Sequence, residues 1–191
     1  GRSDPKVAAA WIQQLAGVLD AVHAMGIVHR DVKPANVMLT GRGVDAHLRL
    51  LDFGLARDVG NVAHAITRDG KAAGTPGFMA PEQRYGGPPD GRADVFSLAA
   101  LAAYLLVGRM PVASWALPLT TRMFGRIRRW PDEVDLVLTA ALDPDPALRT
   151  RTAGDFADAF STAVTAPGWV TRSPVVQFKR DGILDEIDQG L

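Results

Sequence analysis

Cysteine is absent from the 191 residues of the chain. Its absence excludes a disulfide framework, a thiolate metal site and a thiol nucleophile, and it fits a reducing compartment. We therefore expect a cytoplasmic location. An excess of one charge is also absent, because 21 Lys and Arg residues balance 21 Asp and Glu residues. A net charge of zero gives no electrostatic reason to bind nucleic acid, and we expect no nucleic-acid partner.

Long apolar runs are missing as well. The longest extends from Val95 to Val107 and is interrupted only by Ser97, whereas a membrane-spanning helix needs about 20 apolar residues. We interpret this run as a buried helix and expect no membrane segment in this chain. The N-terminus has neither an initiator methionine nor the apolar core of a signal peptide. We therefore expect these residues to come from a longer chain, which could carry a membrane anchor elsewhere.

The apolar residues that are present recur with the spacing of helices and strands. At 47% hydrophobic and 22% charged residues, the composition is ordinary for one globular domain. Helical spacing and end signals predict helices over residues 5–25, 94–107, 132–142 and 153–164. Short apolar runs at 37–39 and 47–51 predict two strands joined by a turn. The fold class predicted from this pattern is α+β, mainly α.

One polar stretch, His29-Arg30-Asp31-Val32-Lys33-Pro34-Ala35-Asn36, concentrates reactive side chains between the first helix and the first strand. Pro34 lacks an amide proton, and it disfavours helical geometry at Lys33. We therefore expect Asp31, Lys33 and Asn36 to converge instead of spreading around a helix. A carboxylate, an ammonium and an amide close together indicate a catalytic loop.

Three motifs occur in the order that is typical of a known enzyme family. H-R-D-x-x-x-x-N lies at 29–36, D-F-G at 52–54 and A-P-E at 80–82. With these motifs the chain resembles a eukaryotic-like (Hanks-type) serine/threonine protein kinase. The resemblance implies ATP-dependent phosphorylation of Ser or Thr hydroxyls on protein substrates, with ATP and Mg²⁺ as cofactors and a role in signal transduction.

The resemblance also implies roles for individual residues. Asp31 would orient the substrate hydroxyl and accept its proton, and Lys33 would neutralise the transferred phosphate. Asn36 and Asp52 would hold Mg²⁺ through hard oxygen ligands. Met38 would form the floor under the adenine ring of ATP, although its spacing alone favours an ordinary core residue. Thr75 would lie in the loop that receives the substrate peptide.

Residues 52–82 are polar and rich in glycine, and they lack a sustained period, so we interpret them as a long functional loop. By resemblance this is the activation segment. Thr67 would be its regulatory phosphorylation site, with the phosphate pairing to Arg30. The alternative is that Thr67 is an ordinary exposed loop residue.

Two further expectations concern the support of the loop. By resemblance, Asp94 would accept backbone hydrogen bonds from the catalytic loop, although an Asp in this position could also be a simple first-turn charge. Arg149 would pair with Glu82 in a buried ion pair, with an exposed arginine as the alternative.

The resemblance begins in the middle of the family's domain. No G-x-G-x-x-G-x-V loop or V-A-I-K-type lysine precedes Asp4. We therefore expect residues 1–165 to form only the large helical lobe of a kinase domain, without the small β-rich lobe that covers ATP, and residues 166–191 to be a tail or linker. Such a fragment alone would bind ATP poorly and be nearly inactive. The alternative is a non-catalytic, pseudokinase-like scaffold that binds other proteins.

Overall fold

A computed structural model describes residues 3–52, 77–84, 90–109 and 131–166. Within these ranges the chain forms five α-helices and a two-stranded sheet. In chain order they are α1 (Pro5–Ala24), β1 (Val37–Thr40), β2 (His47–Leu50), α2 (Pro81–Arg84), α3 (Gly91–Val107), α4 (Asp132–Ala141) and α5 (Ala153–Thr165). The mainly helical composition predicted from the sequence is confirmed for these residues.

Helix α1 begins where the sequence predicts. Asp4 is the N-cap and accepts a hydrogen bond from the Lys6 amide at 2.8 Å, and Pro5 occupies the first turn, where a missing amide proton costs nothing. The helix ends one residue earlier than predicted, at Ala24, and Gly26 follows with a φ of 74°. Its buried side chains face the core, as predicted, and the helix packs against α3, α5 and β2.

Helix α3 is the centre of the domain. Every residue from Ala93 to Val107 is buried, as expected for a helix that is apolar around its whole circumference. The helix begins at Gly91, three residues before the predicted start, because the Asp90 side chain caps it by accepting the Arg92 amide at 2.8 Å. Gly108 ends it in the left-handed conformation, with a φ of 72°.

The two strands form an antiparallel pair in which Val37 faces Leu50 and Thr40 faces His47. Val37 and Leu39 are buried on one face of β1. The connection between the strands is longer than the predicted turn, because residues 43–45 add a 3-10 turn. At the other end of the sheet, Leu51 donates its amide to the Asn36 carbonyl at 2.8 Å. This bond joins the predicted catalytic loop to the chain that leads into Asp52.

Helices α4 and α5 complete the core, and both lie within one residue of their predicted bounds. Thr152 caps α5 by accepting the Asp155 amide at 3.0 Å, as its sequence predicts. Asp20 of α1 adds a cap from the other end of the chain, because its carboxylate accepts the amides of Ala153 and Gly154 at 3.0 and 2.9 Å. Helices α1 and α5 are therefore tied to each other directly.

One prediction about residues 52–82 is wrong in part. The predicted loop does not extend to Glu82, because residues 81–84 form the short helix α2, with Pro81 in its first position. The remainder of that stretch from 53 to 76, including Thr67 and Thr75, and the predicted tail after 166 lie outside the described residues. Among the helices that the structure describes, none is long and apolar enough to cross a membrane.

Candidate active site

The loop that follows α1 has the conformation that its proline predicts. Lys33 is fully extended, with φ of −157° and ψ of 165°, and residues 34–36 form a single 3-10 turn. The turn brings Asn36 back toward Asp31, five positions earlier. The predicted convergence of Asp31, Lys33 and Asn36 is therefore confirmed.

The carboxylate of Asp31 is held by its two neighbours through the same oxygen. The Lys33 ammonium lies 2.8 Å from Asp31 Oδ2, and the Asn36 side-chain amide donates to that oxygen at 2.8 Å. About one fifth of the Asp31 and Lys33 side chains is exposed, so both groups remain accessible. The contacts orient the carboxylate and leave Oδ1 as the oxygen that can receive an incoming proton.

Asn36 and Asp52 provide a donor set that suits Mg²⁺. Asn36 uses its amide nitrogen for two hydrogen bonds, to the Asp31 carbonyl and carboxylate at 2.8 Å each. Its amide oxygen therefore remains for a cation. Asp52 is exposed and follows Leu51, whose amide is bonded to the Asn36 carbonyl. One carboxylate and one amide oxygen at the same end of the sheet are hard ligands of the kind that Mg²⁺ accepts together with water and phosphate oxygens.

His29 connects the loop to the second strand, a role that sequence reasoning missed. Its side chain is fully buried. Nε2 lies 3.0 Å from the Leu51 carbonyl, which can only accept, so Nε2 carries the proton. Nδ1 then accepts the Asp31 amide at 3.3 Å. The imidazole thus links the carbonyl of Leu51, the residue before Asp52, to the backbone amide of Asp31.

Asp94 anchors the loop on the central helix. Its carboxylate is fully buried and accepts the backbone amides of His29 and Arg30 at 2.8 and 2.7 Å. The anchoring role implied by the kinase resemblance is confirmed. His23 of α1 adds a third contact, 2.7 Å from Asp94 Oδ2, and Gly91 makes room for it because a Cβ there would lie 2.7 Å from His23 Nδ1.

Two residues of the candidate site have a strained backbone. Arg30 and Asp52 have φ values of 70° and 63°, and they are the non-glycine residues with positive φ among those that the structure describes. Left-handed geometry costs a non-glycine residue roughly 1–2 kcal/mol. Such strain persists only where surrounding contacts enforce it, and it concentrates at functional sites. Here it flanks the predicted catalytic and metal-binding residues.

The predicted pair of Glu82 and Arg149 is present and is bidentate. Arg149 Nη1 and Nη2 donate to the two carboxylate oxygens at 2.7 and 2.9 Å. The Arg149 side chain is completely buried, and the Glu82 side chain is 15% exposed. Two further guanidinium hydrogens, on Nε and Nη1, donate to the carbonyls of Asp143 and Arg92, and the group lies 5.1 Å from the centre of the Phe96 ring. The alternative of an exposed arginine is wrong.

The other predicted site residues are placed as follows. Met38 is only half-buried and lies on the opposite face of β1 from buried Val37 and Leu39, so it is available to a ligand at that face. Its contact with adenine stays a prediction. Thr75 lies outside the described residues. Phe78 nearby is buried, and its carbonyl accepts the Ser97 hydroxyl at 2.7 Å.

Comparison with known proteins identifies the family. The sequence profile of the protein kinase domain matches residues 1–174. The chain belongs to the protein kinase family. Curated relatives of this kinase chain are serine/threonine-protein kinases, in agreement with the Hanks-type family predicted from the motifs. PknJ of Mycobacterium tuberculosis is 35% identical over 178 residues, which cover 85% of the kinase chain and 30% of PknJ.

Two further comparisons agree with this assignment. The kinase pkn2 of Myxococcus xanthus is 34% identical over 180 residues, which cover 87% of the kinase chain and 21% of pkn2. The crystal structure of the PknI kinase domain of M. tuberculosis is 33% identical, with a TM-score of 0.64, and the match covers 85% of the kinase chain and 57% of that domain. The kinase chain therefore spans less than a third of the length of PknJ and pkn2.

Proposed function

We propose that the chain is the large lobe of a serine/threonine kinase domain and that it carries the groups that transfer phosphate from ATP to a protein hydroxyl. The observation that carries the proposal is the convergence of Lys33 and Asn36 on one oxygen of Asp31. A chain that served only as a scaffold would have no need to hold a carboxylate in this way.

The geometry suggests how these residues would act. Asp31 Oδ1 would bind the substrate hydroxyl and accept its proton as the hydroxyl oxygen forms a bond to phosphorus and the bond to the ADP oxygen breaks. The Lys33 ammonium, held close to the same site, would offset the charge on the transferred phosphate. Asn36 and Asp52 would hold Mg²⁺, which when bound neutralises and orients the ATP phosphates.

The assignment to the large lobe is supported by the extent of the structural match. The kinase chain covers 57% of the PknI kinase domain, and its described part is mainly helical. Such a kinase domain would need a glycine-rich loop and a strand lysine, encoded upstream of residue 1, to complete its nucleotide site. Sequencing the gene in that direction tests this assignment, because an in-frame start codon at the boundary would leave no room for a nucleotide-covering lobe.

Phosphate transfer itself can be tested with the full-length protein, radiolabelled ATP and peptide libraries that contain Ser, Thr or Tyr as the acceptor. We expect label on the Ser and Thr peptides and none on the Tyr peptides. A full-length protein that binds peptides but transfers no phosphate would instead support the non-catalytic scaffold.

The proposed metal role predicts that Asp52→Asn weakens Mg²⁺-dependent ATP binding by at least about tenfold, because even the loss of an outer-shell partner of a metal costs that much. Asn suits this test better than Ala, since Asn tolerates the positive φ of 63° at this position. Titration calorimetry of the full-length protein with and without Mg²⁺ measures the effect.

Asp45→Asn is the matched control for this prediction. Asp45 is an exposed carboxylate in the 3-10 turn at the opposite end of the sheet, so its substitution removes one negative charge without touching the site. Equal Mg²⁺–ATP affinity in the wild-type and Asp52→Asn proteins would show that Asp52 does not bind the metal.

A further inference from the structure

Arg30, the strained residue in front of Asp31, is held on both sides of its Cα atom. The Arg30 amide donates to Asp94 at 2.7 Å, and the Arg30 carbonyl accepts a hydrogen bond from Gln83 Nε2 at 2.8 Å. The carbonyl of Arg30 and the amide of Asp31 belong to the same planar peptide unit. Gln83 therefore acts on the peptide that leads directly into Asp31.

The other end of that peptide unit is also fixed. The Asp31 amide donates to Nδ1 of buried His29 at 3.3 Å. With its oxygen bound by Gln83 and its N–H bound by His29, the peptide plane can no longer rotate freely. Because the plane sets the direction of the next Cα–Cβ bond, both contacts determine where the Asp31 carboxylate points.

Gln83 is itself oriented by a second bond. Its Oε1 accepts the Ala80 amide at 3.1 Å, at the start of the short helix α2. The same side chain therefore ties residues 80–84 to the loop, across 53 positions of sequence. No motif named above includes Gln83, because A-P-E ends at Glu82.

We propose that Gln83 is a positioning residue for Asp31, one that keeps Arg30 in its left-handed conformation through a hydrogen bond to the Arg30 carbonyl. The expected effect of Gln83 on kcat rests on the proposed function. Its expected effect on the conformation of the loop does not depend on that function. Through Gln83, the orientation of Asp31 depends on the placement of helix α2.

Two substitutions separate the contacts of Gln83. Gln83→Glu keeps an acceptor for the Ala80 amide but replaces the donor to Arg30 with an oxygen, which repels the carbonyl. Gln83→Met removes both hydrogen bonds without adding charge, and it serves as the second variant if the first does not fold. Neither substitution touches the residues proposed to bind substrate or Mg²⁺.

Gln14 provides a matched control. Its Nε2 donates to the Ala46 carbonyl at 2.8 Å and its Oε1 accepts the Leu48 amide at 3.1 Å, the same two distances that Gln83 makes. These contacts lie toward the end of the sheet that is remote from Asn36. Gln14→Glu and Gln14→Met therefore lose equivalent hydrogen bonds, but none of these bonds involves the Arg30 carbonyl.

In the full-length kinase, we expect both Gln83 variants to lower kcat about 10- to 100-fold, since misplacing a catalytic group by about 1 Å costs up to this much. The KM for ATP should change by less than about twofold, because the nucleotide ligands are untouched. The Gln14 variants should keep the wild-type kcat. Equal losses of kcat in the Gln83 and Gln14 variants, or a wild-type kcat in Gln83→Glu, would overturn the proposal.

Amide hydrogen exchange gives a readout that does not depend on activity. We expect faster exchange at Arg30 and Asp31 in the Gln83 variants and unchanged exchange in the middle of α1. If the wild-type protein transfers no phosphate but this exchange pattern is found, the proposed function fails while the positioning role of Gln83 stands. If exchange at Arg30 and Asp31 is unchanged, the positioning role is wrong whatever the activity.

Discussion

We expect Asp31→Asn to lower kcat of the full-length kinase by about 10²- to 10⁴-fold, the range that a positioned general base contributes. The substitution keeps the shape of the side chain, and an Asn oxygen can still accept from Lys33 and Asn36, whose contacts to Asp31 are both 2.8 Å. What it removes is the carboxylate that we propose as the proton acceptor. Because the proposed role places Asp31 at the substrate hydroxyl and not at the nucleotide, the KM for ATP should stay within about twofold of wild type.

Steady-state kinetics with a Ser/Thr peptide measure this result, and Asp45→Asn is the control for the loss of one carboxylate. Asp45 is exposed and distant from the loop, so its variant should have the wild-type kcat. An Asp31→Asn kinase with unchanged kcat would show that another group accepts the proton. A large rise in the KM for ATP would instead place Asp31 at the nucleotide.

Arg149→Ala destabilises the fold by about 3–5 kcal/mol, because it leaves the Glu82 carboxylate largely buried without its partner. The substitution also removes the hydrogen bonds that the guanidinium donates to the backbone carbonyls of Asp143 and Arg92. For a domain of this size the melting temperature should fall by roughly 6–20 °C. Thermal unfolding followed by circular dichroism measures the change.

Arg151→Ala is the control for this prediction, since Arg151 is an exposed arginine two positions further along the chain. It should melt within about 2 °C of wild type, as exposed substitutions usually do. Glu82→Gln combined with Arg149→Ala should restore part of the lost stability, because the uncompensated charge is then gone. A wild-type melting temperature for Arg149→Ala would show that the pair does not stabilise the protein.

The helices and strands could be predicted from sequence because their signals are local. Asp4 with Pro5 starts α1, Gly108 ends α3 and Thr152 caps α5, each through contacts within a few residues. The short helix α2 was missed because four residues are too few to establish a period. The start of α3 was predicted three residues too late because its cap, Asp90, could not be distinguished from a turn residue.

The reactive side chains were also predictable, because Asp31, Lys33 and Asn36 lie within one short loop whose shape Pro34 determines. The residues that hold the loop in place were harder to find. His23 reaches Asp94 across 71 positions, and Gln83 reaches Arg30 across 53. Contacts between such distant positions produce no recognisable pattern in the sequence. They become visible only in the folded structure. Asp94 and Arg149 were found by resemblance to the family and not by any pattern of their own.

The cap that Asp20 provides for helix α5 has a consequence for synthesis of the protein. Its partner Ala153 lies 133 residues further along the chain, so the side of α1 that contacts α5 lacks this partner until α5 has been translated. At about 5–20 residues per second this interval lasts roughly 7–27 s. During that time the side chains of α1 that pack against α5 lack their native partner, and apolar surface exposed in this way on a nascent chain favours aggregation.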